Sequence, residues 1–171
     1  MKLTRCKICR NEYKKFSISH KTCSPECAIE LVNRDKAKKA RIHHIAEKLR
    51  LKSRREWLKD AQIVVNKFVR KRDDGKPCIS CGRHHEGQHH AGHYLSVGAH
   101  PALRFEMENI HLQCQPCNVH LSGNILNYRK GLIDKIGISR VEWLEGSHAP
   151  KKYTIQDLQE IISIYKNKLK G

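Results

Sequence analysis

The chain has 171 residues, enough for one full domain and a small satellite, and its 39% hydrophobic content supports a modest core. Lys and Arg number 34 against 17 Asp and Glu, a formal charge of +17, which falls only to about +13 if eight thiolates bind two zinc ions. That balance points to a polyanion, nucleic acid first and an acidic membrane surface second, while the absence of a bilayer-length apolar run or signal-peptide core speaks for an intracellular protein.

Residues 1–27 carry Cys6-x2-Cys9 and Cys23-x3-Cys27. Eight Cys in four close pairs fit zinc in a reducing compartment better than a disulfide framework. A segment this short cannot bury a useful core, so metal supplies its folding energy and a zinc ribbon or knuckle is expected. Tyr13, Phe16 and the surrounding Arg10, Lys14, Lys15 and Lys21 serve either nucleic-acid contact or the small module's own core and solubility.

Residues 28–55 contain no Gly or Pro, and from Arg34 to Arg55 ten Lys and Arg face only Asp35 and Glu47. Leu31, Ile42, Ile45 and Leu49 recur at helical spacing, which predicts a long basic helix, roughly 37 Å for about 25 residues. Its apolar stripe is thin and its charge nearly one-signed, so Lys36, Lys38, Lys39 and Arg41 are candidate phosphate contacts.

Ser53-Arg54-Arg55-Glu56 is a capping box. Trp57, Ala61, Val64, Val65, Phe68 and Val69 then form a core-facing stripe, expected to pack on a second zinc module. Asp73 to Pro77 breaks that helix. Cys78-x2-Cys81 and Cys114-x2-Cys117 bracket 32 residues and make a closed, structural four-thiolate site. Between them, His90–Val97 and Leu103–His111 read as short strands around a loop marked by Gly98 and Pro101, and Asn118 as the start of a helix towards Tyr128. Ser139 to Glu142 and Thr154 to Asp157 are further capping boxes, and Leu158, Ile161, Ile162, Tyr165 and Leu169 form a last stripe that suits core or dimer surface. The expected class is α+β, divided into a 1–27 zinc module, a 28–52 basic helix and a 53–171 domain with a zinc-bound hairpin followed by a helix.

The bracketed segment is dense in His and Asn and holds few carboxylates, only Glu86, Glu106 and Glu108. Phosphodiester hydrolysis with one metal needs a base for water and a divalent ion on the phosphate and leaving oxygen. A hairpin His and a helix-borne Asn or His meet those needs.

These residues resemble the HNH, or ββα-metal, nucleases. The resemblance implies a treble-clef core, His93 as general base, Asn109 fixing the hairpin loop, and Asn118 with His120 binding catalytic Mg2+ or Mn2+. AGHY at 91–94, LRF at 103–105, NIH at 109–111, QCQPCN at 113–118, SGN at 122–124 and CISCG at 78–82 are more closely similar to the phage NinG (Rap) recombination nuclease family. So are the upstream SRREWLKDAQ pattern, the N-terminal four-Cys module and the basic stretch. That likeness implies a structure-selective endonuclease for branched DNA such as Holliday junctions and D-loops. It further implies a phage or prophage origin and action in the bacterial cytoplasm beside phage or host recombination proteins; a homodimer is left open.

HNH enzymes commonly carry Asp or His directly before the base, where this chain has Gly92. His90 is the replacement ligand in one register; in a rival register His89 is the ligand and His90 the base. Arg104 contacts phosphate or pairs with Glu106 or Glu108, while His84, His85, His100 and His111 receive no role. The competing readings are a non-catalytic zinc-dependent DNA-binding protein and an RNA-binding zinc-ribbon protein.

Overall fold

The computed structural model describes residues 3–171, so the first two residues of the expected N-terminal module lie outside it. The chain forms two compact units, Met1–Lys52 and Ser53–Gly171.

In the first unit, β1 (Leu3–Arg5) and β2 (Glu12–Lys14) pair antiparallel with Thr4 opposite Tyr13. The loop between them carries Cys6 and Cys9. Helix α1 (Pro25–Arg50) is N-capped by Ser24, whose hydroxyl accepts from Cys27 N, and Pro25 fits the first turn because its missing N–H is not needed there. The helix therefore starts three residues before the expected position and takes Cys27 into its first turn. No residue of α1 is buried, and Ile42, Ile45 and Leu49 stay exposed.

The second unit begins where Ser53 and Glu56 close their reciprocal capping box at the start of α2 (Arg54–Arg72). Of its apolar stripe, Ala61, Val65 and Val69 are fully buried. The stripe packs chiefly on α5 (Ile155–Lys168), through Leu158 and Ile162, and also on the hairpin through Ile110. The hairpin consists of β3 (His89–His93) and β4 (Ile110–Cys114), antiparallel with His90 opposite Gln113 and Gly92 opposite His111. The expected second strand, Leu103–His111, is thus displaced. Residues 101–109 turn twice as short 3-10 segments behind Pro101, and pairing begins only at Ile110.

The helix expected from Asn118 is also corrected. Pro116–His120 make one π-helical turn, Ser122, Gly123 and Asn124 take left-handed backbone angles, and α3 (Ile125–Ile136) starts only there. Three consecutive positive φ values cannot continue a right-handed helix. Helix α4 (Ile138–Glu145) is entered from Gly137, so Ser139 lies inside it and forms no cap. Thr154 and Asp157 do form the expected box at α5. Tyr94, Leu103, Tyr128, Leu132, Val141 and Leu144 make a separate core cluster between the hairpin loop, α3 and α4.

Candidate functional site

The two cysteine sets assemble as expected. In each, Cys6/Cys9/Cys23/Cys27 and Cys78/Cys81/Cys114/Cys117, all four Sγ atoms lie within 4.8 Å of one another, and no disulfide forms. Four thiolates around one zinc at about 2.3 Å sit roughly 3.8 Å apart, so both sets fit a tetrahedral ion with no open position. Surrounding donors suit thiolates. Ile8 N points to Cys6 Sγ at 3.4 Å, Asn124 Nδ2 to Cys117 Sγ at 3.5 Å, and His85 Nε2 lies 3.2 Å from Cys81 Sγ.

The hairpin is pinned at its outer side by Asp73, which the sequence reading took only as a helix breaker. Asp73 is 1% exposed, pairs with Arg72 at 2.6 Å, Lys76 at 3.1 Å and Lys135 at 3.5 Å, and accepts from Leu112 N at 3.3 Å. Despite burial, the Arg72 and Lys76 cations hold its carboxyl well below the usual carboxylate range.

Asn109 closes the loop between the strands. It is 0% exposed; its Oδ1 accepts from Leu95 N at 2.8 Å, and its Nδ2 donates to Leu95 O at 3.1 Å and Leu103 O at 3.2 Å. The same loop presents the carbonyl of Arg104, 3.0 Å from His93 Nε2. A carbonyl only accepts, so Nε2 carries the ring proton and Nδ1 keeps a lone pair. Burial pushes the His93 pKa below the usual histidine range, leaving the ring neutral near pH 7. Arg104 itself donates to Gln62 Oε1 at 3.2 Å, and Glu108 pairs with Arg140 at 2.6 Å, so neither expected Arg104 salt bridge forms.

Asn118 Nδ2 lies 2.9 Å from His90 Nδ1. An amide nitrogen only donates, so His90 Nδ1 accepts and its proton sits on Nε2, which is buried without a partner. His90 therefore has no free lone pair, whereas His93 does. His90 and Gly92 share one face of β3, and His89, Ala91 and His93 alternate to the other. Among the described residues no hydrogen bond joins His93 to Asn118, His90 or His120, and His120 is exposed. His89 lies instead with His84, His85, Arg70 and Lys76 around a separate cleft.

His111 and Tyr128 were not assigned. Tyr128 Oη donates to Gly92 O at 3.0 Å and so accepts from His111 Nδ1 at 3.3 Å, a buried chain that holds the backbone just before His93. Burial, with Lys135 and Arg72 nearby, lowers the His111 pKa to about 3. Lys36, Lys38, Lys39 and Arg41 all project from the exposed surface of α1.

A family model described as Bacteriophage Lambda NinG protein matches residues 1–171. The chain belongs to the NinG family. Relatives include "Protein ninG" of Salmonella phage P22 and of Escherichia phage lambda, each 39% identical over 186 residues. These alignments cover 97% of this chain, with 92% of the P22 protein and 91% of the lambda protein. The protein of the same name from Escherichia phage 933W is 38% identical. No solved structure matches the chain. Family membership spans both cysteine sets and the hairpin. Among the described residues no helix is long and apolar enough to cross a membrane.

Proposed function

We propose that this NinG family member is an HNH-type endodeoxyribonuclease that cuts branched recombination intermediates by metal-dependent phosphodiester hydrolysis. The observation that carries the reading is the His93 tautomer. Its Nε2 is fixed by the Arg104 carbonyl, its Nδ1 lone pair is free, and burial keeps it neutral. A neutral imidazole held this way takes a proton from an attacking water. A hairpin beside the second cysteine set, then the π turn bearing Asn118 and α3, is a strand–strand–helix order that supports this reading. The Asn118 amide on His90 Nδ1 supports His93 over His90 as the base, because it occupies the lone pair His90 would need.

Mg2+ or Mn2+, when bound, supplies positive charge to the phosphate and the departing 3′-oxygen. Asn118 Oδ1 is the residue atom that would hold it, with His90 orienting the Asn118 amide. The α1 lysines and arginines contact DNA phosphates. Such an enzyme acts on phage or host DNA in the bacterial cytoplasm.

The test is cleavage of branched, duplex and single-stranded DNAs with added Mg2+ or Mn2+. Branched DNA is cut, and His93→Ala lowers the rate by at least about 100-fold while two zinc ions and DNA binding remain. Undiminished cleavage by His93→Ala, or none by the unaltered protein with either ion, refutes the reading.

A further inference from the structure

We propose that Gln113 is a second ligand for the divalent cation, its amide oxygen converging with that of Asn118 at the point where Gly92 lacks a side chain. The proposal rests on the nuclease reading for the ion's role, but on separate geometry for the ligand.

Gln113 is 0% exposed on β4, directly opposite His90. Its Nε2 donates to Ser80 Oγ and to Gly123 O, both at 2.6 Å. Gly123 O can only accept, so the amide cannot be turned over, and the orientation of Oε1 is fixed. That oxygen is buried and has no partner. Buried acceptors in folded proteins are nearly always satisfied, so an orphan held in one orientation marks a missing positive or donating group.

Asn118 repeats the pattern. With its Nδ2 committed to His90, its Oδ1 points the other way and lies 3.0 Å from where a Cβ on Gly92 would be. The same Cβ would overlap Gln113 Oε1. Both amide oxygens thus border the space beside Gly92, no more than about 4.9 Å apart, a spacing that one cation can bridge. Amide oxygens are ordinary hard donors for such ions. Gly92 has no left-handed backbone angle to justify a glycine. What the glycine provides is room for Gln113. Asn118 is only partly buried, which leaves the ion a way in.

Both oxygens are neutral. Carboxylate count is a main lever on affinity for hard cations, so this pair binds an ion weakly alone and more tightly once a DNA phosphate adds charge.

The experiment measures Mn2+ binding to the full zinc-loaded chain by electron paramagnetic resonance, with and without branched DNA, for the unaltered protein, Gly92→Ala and Gln113→Glu. Zinc content and unfolding midpoint report folding. Gly92→Ala displaces Oε1 and weakens Mn2+ binding at least about 10-fold. Gln113→Glu adds charge at the same point but loses the donor to Gly123 O, so its unfolding midpoint falls while Mn2+ binding tightens at least about 10-fold. A purely structural Gln113 predicts weakening or no change in both, which overturns the assignment. If Gly92→Ala or Gln113→Glu fails to fold, Asn118→Asp, which adds charge at the partly buried oxygen of the pair, decides, and no tightening is a refutation. Absence of Mn2+ binding by the unaltered protein, even with DNA, means that water alone fills the point and also overturns it. Cleavage is read in parallel. Protein that binds Mn2+ as expected but cuts no DNA retains this ligand and loses the nuclease reading. Protein that cuts while both variants bind like the unaltered chain does the reverse.

Discussion

Replacing Asn109 tests how the loop positions His93. Asn109→Ala deletes three hydrogen bonds at once, leaving Leu95 N and Leu95 O without their partner and Leu103 O with Glu106 N. At about 1 kcal/mol for each lost bond, the Ser53–Gly171 unit loses about 3 kcal/mol. For a unit of that size the unfolding midpoint falls by roughly 10 °C. Asn109→Asp is the sharper variant. It keeps the acceptor for Leu95 N but turns a carboxylate oxygen towards two carbonyls, so it is at least as destabilising as Ala despite its closer shape. Because the Arg104 carbonyl rides on the same loop, cleavage falls as well, even at temperatures where both variants are folded. Calorimetry with paired single-turnover cleavage checks this. A midpoint shift below about 3 °C for Ala, or an Asp variant more stable than the Ala variant, refutes the clamp.

Elemental analysis finds about two zinc ions per chain. Cys78→Ser or Cys114→Ser unfolds the second unit, whereas Cys6→Ser or Cys23→Ser damages only the first, as limited proteolysis distinguishes. Changing Lys36, Lys38, Lys39 and Arg41 to Gln lowers the log–log salt slope of DNA binding by up to about 4, measured across a salt series. His111, with a folded pKa of about 3 against an unfolded value near 6.5, binds its proton more readily when unfolded, so stability rises with pH across that window and is lost as pH falls through it. His111→Asn flattens the pH dependence between about 3 and 6.5 in denaturant titrations; an unchanged slope refutes the buried neutral assignment.

The cysteine spacing and the Ser53 and Thr154 capping boxes were legible because each is a short-range pattern with one physical solution. The α2 and α5 stripes were legible for the same reason, their 3.6-residue period surviving in Ala61, Val65, Val69, Leu158 and Ile162. The hairpin register was not. Residues 103–109 carry enough apolar side chains to read as a strand, but Pro101 and the long-range bonds of Asn109 fold them into turns. Pairing moved to Ile110–Cys114, a strand buried on both faces whose polar His111 and Gln113 gave it no clean alternation. The Ser122-Gly123-Asn124 break was written in turn-forming residues and was overlooked because Asn118 offered a simpler cap. Gln113 had no local signal at all: its role depends on Ser80, 33 positions earlier, and on an absent side chain at Gly92.

A zinc ion in the second cysteine set would explain why so polar a hairpin can exist here. Two five-residue strands are marginal alone, and β4 buries an imidazole and a carboxamide where a stable sheet would place Val or Ile. The thiolate cluster substitutes for that missing apolar surface. It does so at the points that orient the polar groups, since Ser80 lies within the first Cys pair and Asn118 and Gly123 follow the second. Fixing Cys78, Cys81, Cys114 and Cys117 thereby fixes the Gln113 amide from both sides and starts the turn that carries Asn118. A larger hydrophobic core would hold the strands equally well, but it would occupy the hairpin face on which His90, Gly92 and Gln113 stand. Structural metal at one end would let that buried face carry polar side chains in place of apolar ones, as the proposed second ion requires.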